Sequence, residues 1–175
     1  EGVWQLATAQ DLLWFSKVVN EMGDVYAQAT IVAPVDMSGV EWQPIGKTSR
    51  PYVGQFNGGL NPITNMTLPL FGNTNNADIQ GIAILGGTIG GNANYAEHTG
   101  SIIGVANGTT HLTRSYSTAH MATSAGDCGG LIGKVKGSGT IKDCFFAGNL
   151  TAGWSAGCMV GSSDGSTIAE ISNCY

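Results

Sequence analysis

The chain has little charge. Only 11% of its 175 residues are Asp, Glu, Lys or Arg, seven of them are basic, and the net charge is −5. Nucleic acids and anionic membrane surfaces are held by clustered Lys and Arg, so neither is expected as a partner. No run approaches the ~20 apolar residues of a spanning helix, which argues against membrane insertion. Glu1 does not open a signal peptide, so the chain reads as a mature secreted product or as a piece of something longer. Four cysteines do not make a disulfide scaffold, and there is no Cys-x-x-Cys pair or histidine spaced with the cysteines to suggest a metal site. No Gly-rich loop opens a helix to cradle a phosphate.

Glycine is abundant. The chain has 27 of them, alongside 42% hydrophobic residues, enough for one domain with a buried core. A sequence rich in Gly, Asn, Ser and Thr with this apolar content is unlike a disordered segment and suits a β-fold with many tight corners.

Residues 101–175 say nearly the same thing three times. Ser101-Ile-Ile-Gly104, Gly130-Leu-Ile-Gly133 and Cys158-Met-Val-Gly161 are each followed by a second short strand, ending Ser115-Tyr, Cys144-Phe and Cys174-Tyr. Leu70-Phe-Gly72 and Tyr52-Val-Gly54 extend the series upstream, giving five anchor glycines at Gly54, Gly72, Gly104, Gly133 and Gly161. Spacings of 29 and 28 residues between the last three mark a solenoid, whose repeats bury their apolar faces only by stacking. Runs of four to six residues rich in Ile, Val and Phe read as strands, and stacked parallel strands predict a rod of roughly four or five turns at ~4.8 Å each.

The columns of this alignment carry further expectations. Asn65, Gly81, Arg114, Asp143 and Asn173 fall in one column, and all but Arg114 tolerate a left-handed backbone, so a bend is expected there with Arg114 as the exception. After the bend, Met66 and Leu68, Ile82 and Ile84, Ser115 and Ser117, and Cys144 and Phe146 alternate and should point inward. Cys144 and Cys174 therefore form a core ladder of small apolar side chains, with a bonded pair kept as an alternative.

Residues 1–24 differ from the rest. Leu12, Leu13, Phe15, Val18, Val19 and Met22 recur at helical steps behind Thr8 as N-cap, with Asp11 three residues on and Gly23 at the C-terminal end. This predicts an amphipathic helix that lids the first turn, Trp14 included, with packing along the side of the rod as the alternative. Residues 25–175 are then the β-helix.

Chemistry is hard to place in this pattern. Hydrolases and lyases built on such rods need paired carboxylates or an acid with a basic partner on one face. Asp143, Arg114 and Lys142 lie close in the alignment and read best as a bend with a surface ion pair. Asp78, Asp127, Asp164 and Glu170 look isolated in turns, and His98, His111 and His120 look like loop histidines. No catalytic residue, cofactor or metal ligand is therefore expected. Tyr95, Tyr116 and Trp154 are candidate platforms for stacking a sugar.

The motifs Ala7-Thr-Ala-Gln-Asp-Leu-Leu-Trp-Phe15, Asp36-Met-Ser-Gly-Val-Glu-Trp-Gln-Pro-Ile-Gly46, Phe56-Asn-Gly58, Leu70-Phe-Gly72 and Gly130-Leu-Ile-Gly133, in this order, resemble the GLUG-motif repeat proteins. These are bacterial surface and secreted proteins, common in gut Bacteroidetes, found in adhesin-like and IgA-protease-like polypeptides. The resemblance implies a right-handed parallel β-helix at the cell surface or outside the cell, with no common catalytic site. It departs at Cys158-Met-Val-Gly161 and at the polar turn around Ser115. The expected function is adhesin-like binding or presentation, with a host glycan or surface protein as partner. A carbohydrate-binding or carbohydrate-active rod is the alternative, and a plain spacer a third. The sequence breaks off at Ile171-Ser-Asn-Cys-Tyr175 in mid-strand, which points to a fragment of a longer solenoid or to end-to-end self-association through an open last turn.

Overall fold

A computed structural model describes residues 2–90, 98–124, 126–165, 168 and 170–175. The chain is a parallel β-solenoid of about five turns. Its longest sheet stacks seven strands in chain order: Trp4–Leu6, Ala29–Ile31, Gln55–Asn57, Asp78–Gln80, His111–Thr113, Thr140–Lys142 and Glu170–Ser172. From Asp78–Gln80 onward each complete turn passes through four more sheets. The turn that starts at Asp78–Gln80, for example, continues through Ala83–Leu85, Thr88–Gly90, His98–Thr99 and Ile103–Asn107.

Parallel pairing fixes every inward residue above its counterpart. In the long sheet Phe56, Ile79, Leu112 and Ile141 form one continuous buried ladder. The columns expected to point inward after the bend do so, with Met66, Ile82, Ile84, Ser115, Ser117 and Cys144 buried and Leu68 and Phe146 partly so. Buried hydroxyls need partners. Ser115 donates to Thr113 O and accepts from Ile82 N, and Ser117 accepts from Ala119 N.

The bend column is left-handed at Gly81, Arg114, Asp143 and Asn173, with φ of 64°, 48°, 55° and 52°. Arg114 is thus no exception. Its two stacked neighbours, Gly81 and Asp143, share the left-handed turn and hold it where an arginine alone would not go. Asn65 is left-handed too (φ 58°), but in the next corner, opposite Gly86 (φ 59°), because Pro62–Thr64 pairs with Ala83–Leu85. Gly58 stands opposite Gly81 instead.

Gly72, Gly104, Gly133 and Gly161 lie side by side. A Cβ at Gly133 would sit 2.6 Å from Thr99 N and 2.7 Å from Gly104 O, so this column must be glycine for the corner to close. Gly54 is not its first member. Ile45 bridges Phe71, which puts Gly46 beside Gly72. The chain then makes a small loop closed by hydrogen bonds between Lys47 and Arg50 and rejoins the stack at Tyr52. Gly54 falls at the start of the next turn, under Ala27 O and the Tyr52 hydroxyl.

The N-terminal segment is more than a helix. Trp4–Leu6 pairs with Ala29–Ile31 and begins the long sheet. Thr8 and Asp11 close a capping box at the start of the helix Ala9–Lys17, which continues as a π-helical turn, Val18–Met22, to Gly23. Phe15, fully buried, meets Trp4, Tyr52 and Phe56 edge to face at ring-centre distances of 6.4, 6.2 and 5.7 Å. Trp14 is 45% exposed and stands outside this cluster. Asn20, also buried, fastens the π-turn to the first irregular turn through Pro44 O and Gly46 N.

Candidate functional site

The strand period of two sends every second residue of the long sheet outward. Two outward columns result. One runs Gln55, Asp78, His111, Thr140, Glu170, and the other Thr30, Asn57, Gln80, Thr113, Lys142, Ser172. Between Val3 on the first rung and Thr113 on the fifth, they line a groove of about 410 Å³.

Its side chains are anchored from behind. Asn57 Oδ1 accepts from Gly59 N at 2.9 Å, and Gln80 Oε1 accepts from the Arg114 guanidinium. His111 Nδ1 lies 2.8 Å from Thr140 Oγ1. In each case one polar atom of the amide or ring is engaged within the protein. Among the described residues lining it, Asp78 is the only carboxylate.

A second polar cluster fills the concave corner where His98–Thr99 and Asp127–Gly129 meet the outward side of Ile132–Lys136 and Val160–Ser163. His98 Nδ1 lies 3.1 Å from Asp127 Oδ2, each side chain 16% exposed. Ser162 Oγ donates to the same oxygen, and Lys134 Nζ lies 2.6 Å from Asp164 Oδ1. Burial alone would push the Asp127 carboxyl up, but hydrogen bonds from Ser162 and Ser155 and the charges of His98 and Lys134 outweigh it and hold it below its usual range. The hydrogen bond from Lys134 does the same for Asp164. Asp127, Asp164 and His98 are therefore not isolated turn residues.

A serine, a histidine and an aspartate here share one site without the connectivity of a nucleophile. Activation of a serine requires the histidine between hydroxyl and carboxylate. In this corner Asp127 sits in the middle, and Ser162 gives its proton to the carboxylate rather than to an imidazole.

The other expected groups lie apart. Arg114 reaches back to Gln80, while Asp143 accepts from Asn173 Nδ2 at 2.8 Å. Tyr116 stacks on Phe145 and Phe145 on Tyr175, at 4.7 and 5.3 Å and within 9° of parallel, so the faces of Tyr116 and Phe145 are covered by each other. Trp154 is 80% exposed. Tyr95 lies outside the described residues. Cys144 and Cys174 stack in one column with free thiols that donate to Lys142 O and Ser172 O, and Cys128 and Cys158 are also free. Sequence reading missed both clusters; for the groove, the signal present was the run of amides and hydroxyls in one outward column.

No protein-family model matches the chain, and no curated protein sequence matches it. A crystal structure from Bacteroides ovatus, provisionally described as an immunoglobulin A1 protease, is similar with a TM-score of 0.57. The likeness is one of fold. At 18% identity it covers 99% of this chain and 74% of that one.

Proposed function

We propose that this chain is a non-catalytic, adhesin-like β-solenoid of the GLUG-repeat type, acting at the cell surface or outside the cell by binding or presenting a host glycan or surface protein. The observation that carries the reading is the chemistry of the long-sheet groove. Its outward positions hold amides, hydroxyls and the His111 imidazole around a single carboxylate, which suits hydrogen bonding to a neutral ligand. Glycoside cleavage needs a second convergent acid or a basic partner for the first, and His111, which stands in register with Asp78, has its Nδ1 at 2.8 Å from Thr140 Oγ1 rather than on the carboxylate.

The name of the structural neighbour suggests cleavage of immunoglobulin A1 as a second reading. The connectivity of Ser162, Asp127 and His98 weighs against it. Incubating the chain with immunoglobulin A1, mucins and host glycans separates the readings. Retention without new fragments or released sugars is the expected result. Cleavage of any of them would replace this proposal with an enzyme, and neither retention nor cleavage would leave a spacer.

A further inference from the structure

We infer that the groove on the long sheet is a subsite for a linear, neutral oligosaccharide lying along the rod, with successive sugar units met by successive rungs. The inference rests on the binding reading above and names its site and ligand class.

Three observations converge on it. The first is orientation. Asn57 and Gln80 stand on adjacent rungs of one column, and each has its carbonyl oxygen held by a fixed donor, Gly59 N and Arg114 respectively. Both amides line the groove with the oxygen engaged and the NH₂ group left to donate. Side chains ordered before binding lose little freedom on binding, which is where much of the affinity of a polar site is otherwise lost.

The second observation is charge. No Lys or Arg lines the groove, and Asp78 repels anions, so a sulfated or carboxylated ligand is disfavoured. Apart from Asp78, the two columns turn charged only at Lys142 and Glu170, beyond the groove. A protein partner would want an aromatic or aliphatic anchor in a pocket. Here Phe56 and Ile79 are turned into the core, and Val3 at the first rung is the one exposed aliphatic side chain among the described lining residues, at the groove's end rather than in a central pocket. Amides and imidazole both donate and accept, as sugar hydroxyls do.

The third is repeat. Stacked strands advance about 4.8 Å per rung, on the order of one pyranose unit, so a polymer parallel to the rod meets a new pair of hydrogen-bonding side chains at each step: Gln55 with Asn57, Asp78 with Gln80, and His111 with Thr113. Without an aromatic face in the groove, affinity rests on hydrogen bonds and is expected to be weak for a short ligand.

The test is an NMR titration of the whole chain, isotope-labelled, with N-acetylchitotetraose and with cellotetraose, and with a sulfated heparin tetrasaccharide as the anionic comparator. The neutral sugars should shift the side-chain amides of Asn57 and Gln80 and the ring of His111, and the sulfated one should not. Gln80→Ala should weaken binding roughly fivefold, the worth of one ordinary hydrogen bond. Arg114→Asn, which leaves Gln80 in place but frees its amide, should also weaken it. Asn57→Ala serves as a second lesion if it folds, and Gln80→Ala decides the matter if it does not. Shifts confined to other surfaces, a preference for the sulfated sugar, or no response to either neutral sugar would overturn the inference. If the chain holds mucin or glycan in the retention assay and Gln80→Ala and Arg114→Asn hold it equally well, the groove assignment falls while the binding reading stands. Cleavage in that assay removes the binding reading itself.

Discussion

His98 and Asp127 face each other one rung apart, 3.1 Å between Nδ1 and Oδ2, in a corner that also holds Ser162, Lys134 and Asp164. The cluster joins three consecutive rungs and is expected to act as a clasp. Both carboxyls have folded values below their usual range. A depressed carboxyl adds stability that is present above its unfolded value, about pH 4, and lost as pH falls through the folded value. Asp127→Asn should therefore lower the melting temperature at neutral pH, and the gap to the parent should narrow on acidification below about pH 4. A gap that stays constant down to pH 3 would show that the ionised form of Asp127 adds nothing.

Phe15 packs into the aromatic core of the first turns and Trp14 does not. Phe15→Ala removes a fully buried ring with three aromatic neighbours and is expected to cost about 3–5 kcal/mol in urea unfolding. Trp14→Ala, on the exposed side, should change stability by no more than about 0.5 kcal/mol. Equal costs would mean that the helix is held by something other than this face.

Two glycines separate crowding from backbone strain. Gly133→Ala places a methyl group 2.6 Å from Thr99 N, where backbone cannot yield cheaply, and should cost at least about 1–3 kcal/mol. Gly86→Ala meets nothing within 4 Å but holds φ at 59°, so its cost should be about 1–2 kcal/mol, from conformation alone. Circular dichroism melts of the two variants, with Gly86→Asn as a control that tolerates this φ, would check the assignment.

The thiols should react in the order of their burial. Burial pushes Cys128 and Cys144 up to about 11, so few thiolates form at neutral pH, whereas Cys158 is exposed. An Ellman titration of the folded chain should modify Cys158 first, with Cys128 and Cys144 reacting only on unfolding. Early modification of Cys144, located by peptide mass analysis, would indicate that the core ladder opens.

Much of the fold was legible because its signals are short-range. Thr8 and Asp11 cap a helix through groups three residues apart, and alternation after the bend assigns Ile82, Ile84 and Cys144 to the core without knowledge of any partner strand. The misalignments have one cause. Gly54 resembles an anchor because Tyr52-Val-Gly54 copies the local pattern, yet the loop at Lys47–Arg50 displaces it by part of a turn. Asn65 was shifted likewise by the extra residues Gly58 to Asn61. A local pattern cannot count residues taken up elsewhere in the coil.

By itself, then, the sequence determined the parallel stack, its inward columns, its left-handed corner at Gly81, Asp143 and Asn173, and its capped helix, because backbone preference and alternating polarity act over a few residues. The tertiary structure alone decided which outward groups meet. The true anchors Gly46, Gly72, Gly104, Gly133 and Gly161 stand 26, 32, 29 and 28 residues apart, and hydrogen bonding between parallel strands holds the register while corners absorb the difference. Because of that absorption His98 lies beside Asp127 and Asn57 beside Gln80, and Arg114 turns to Gln80 rather than to Asp143.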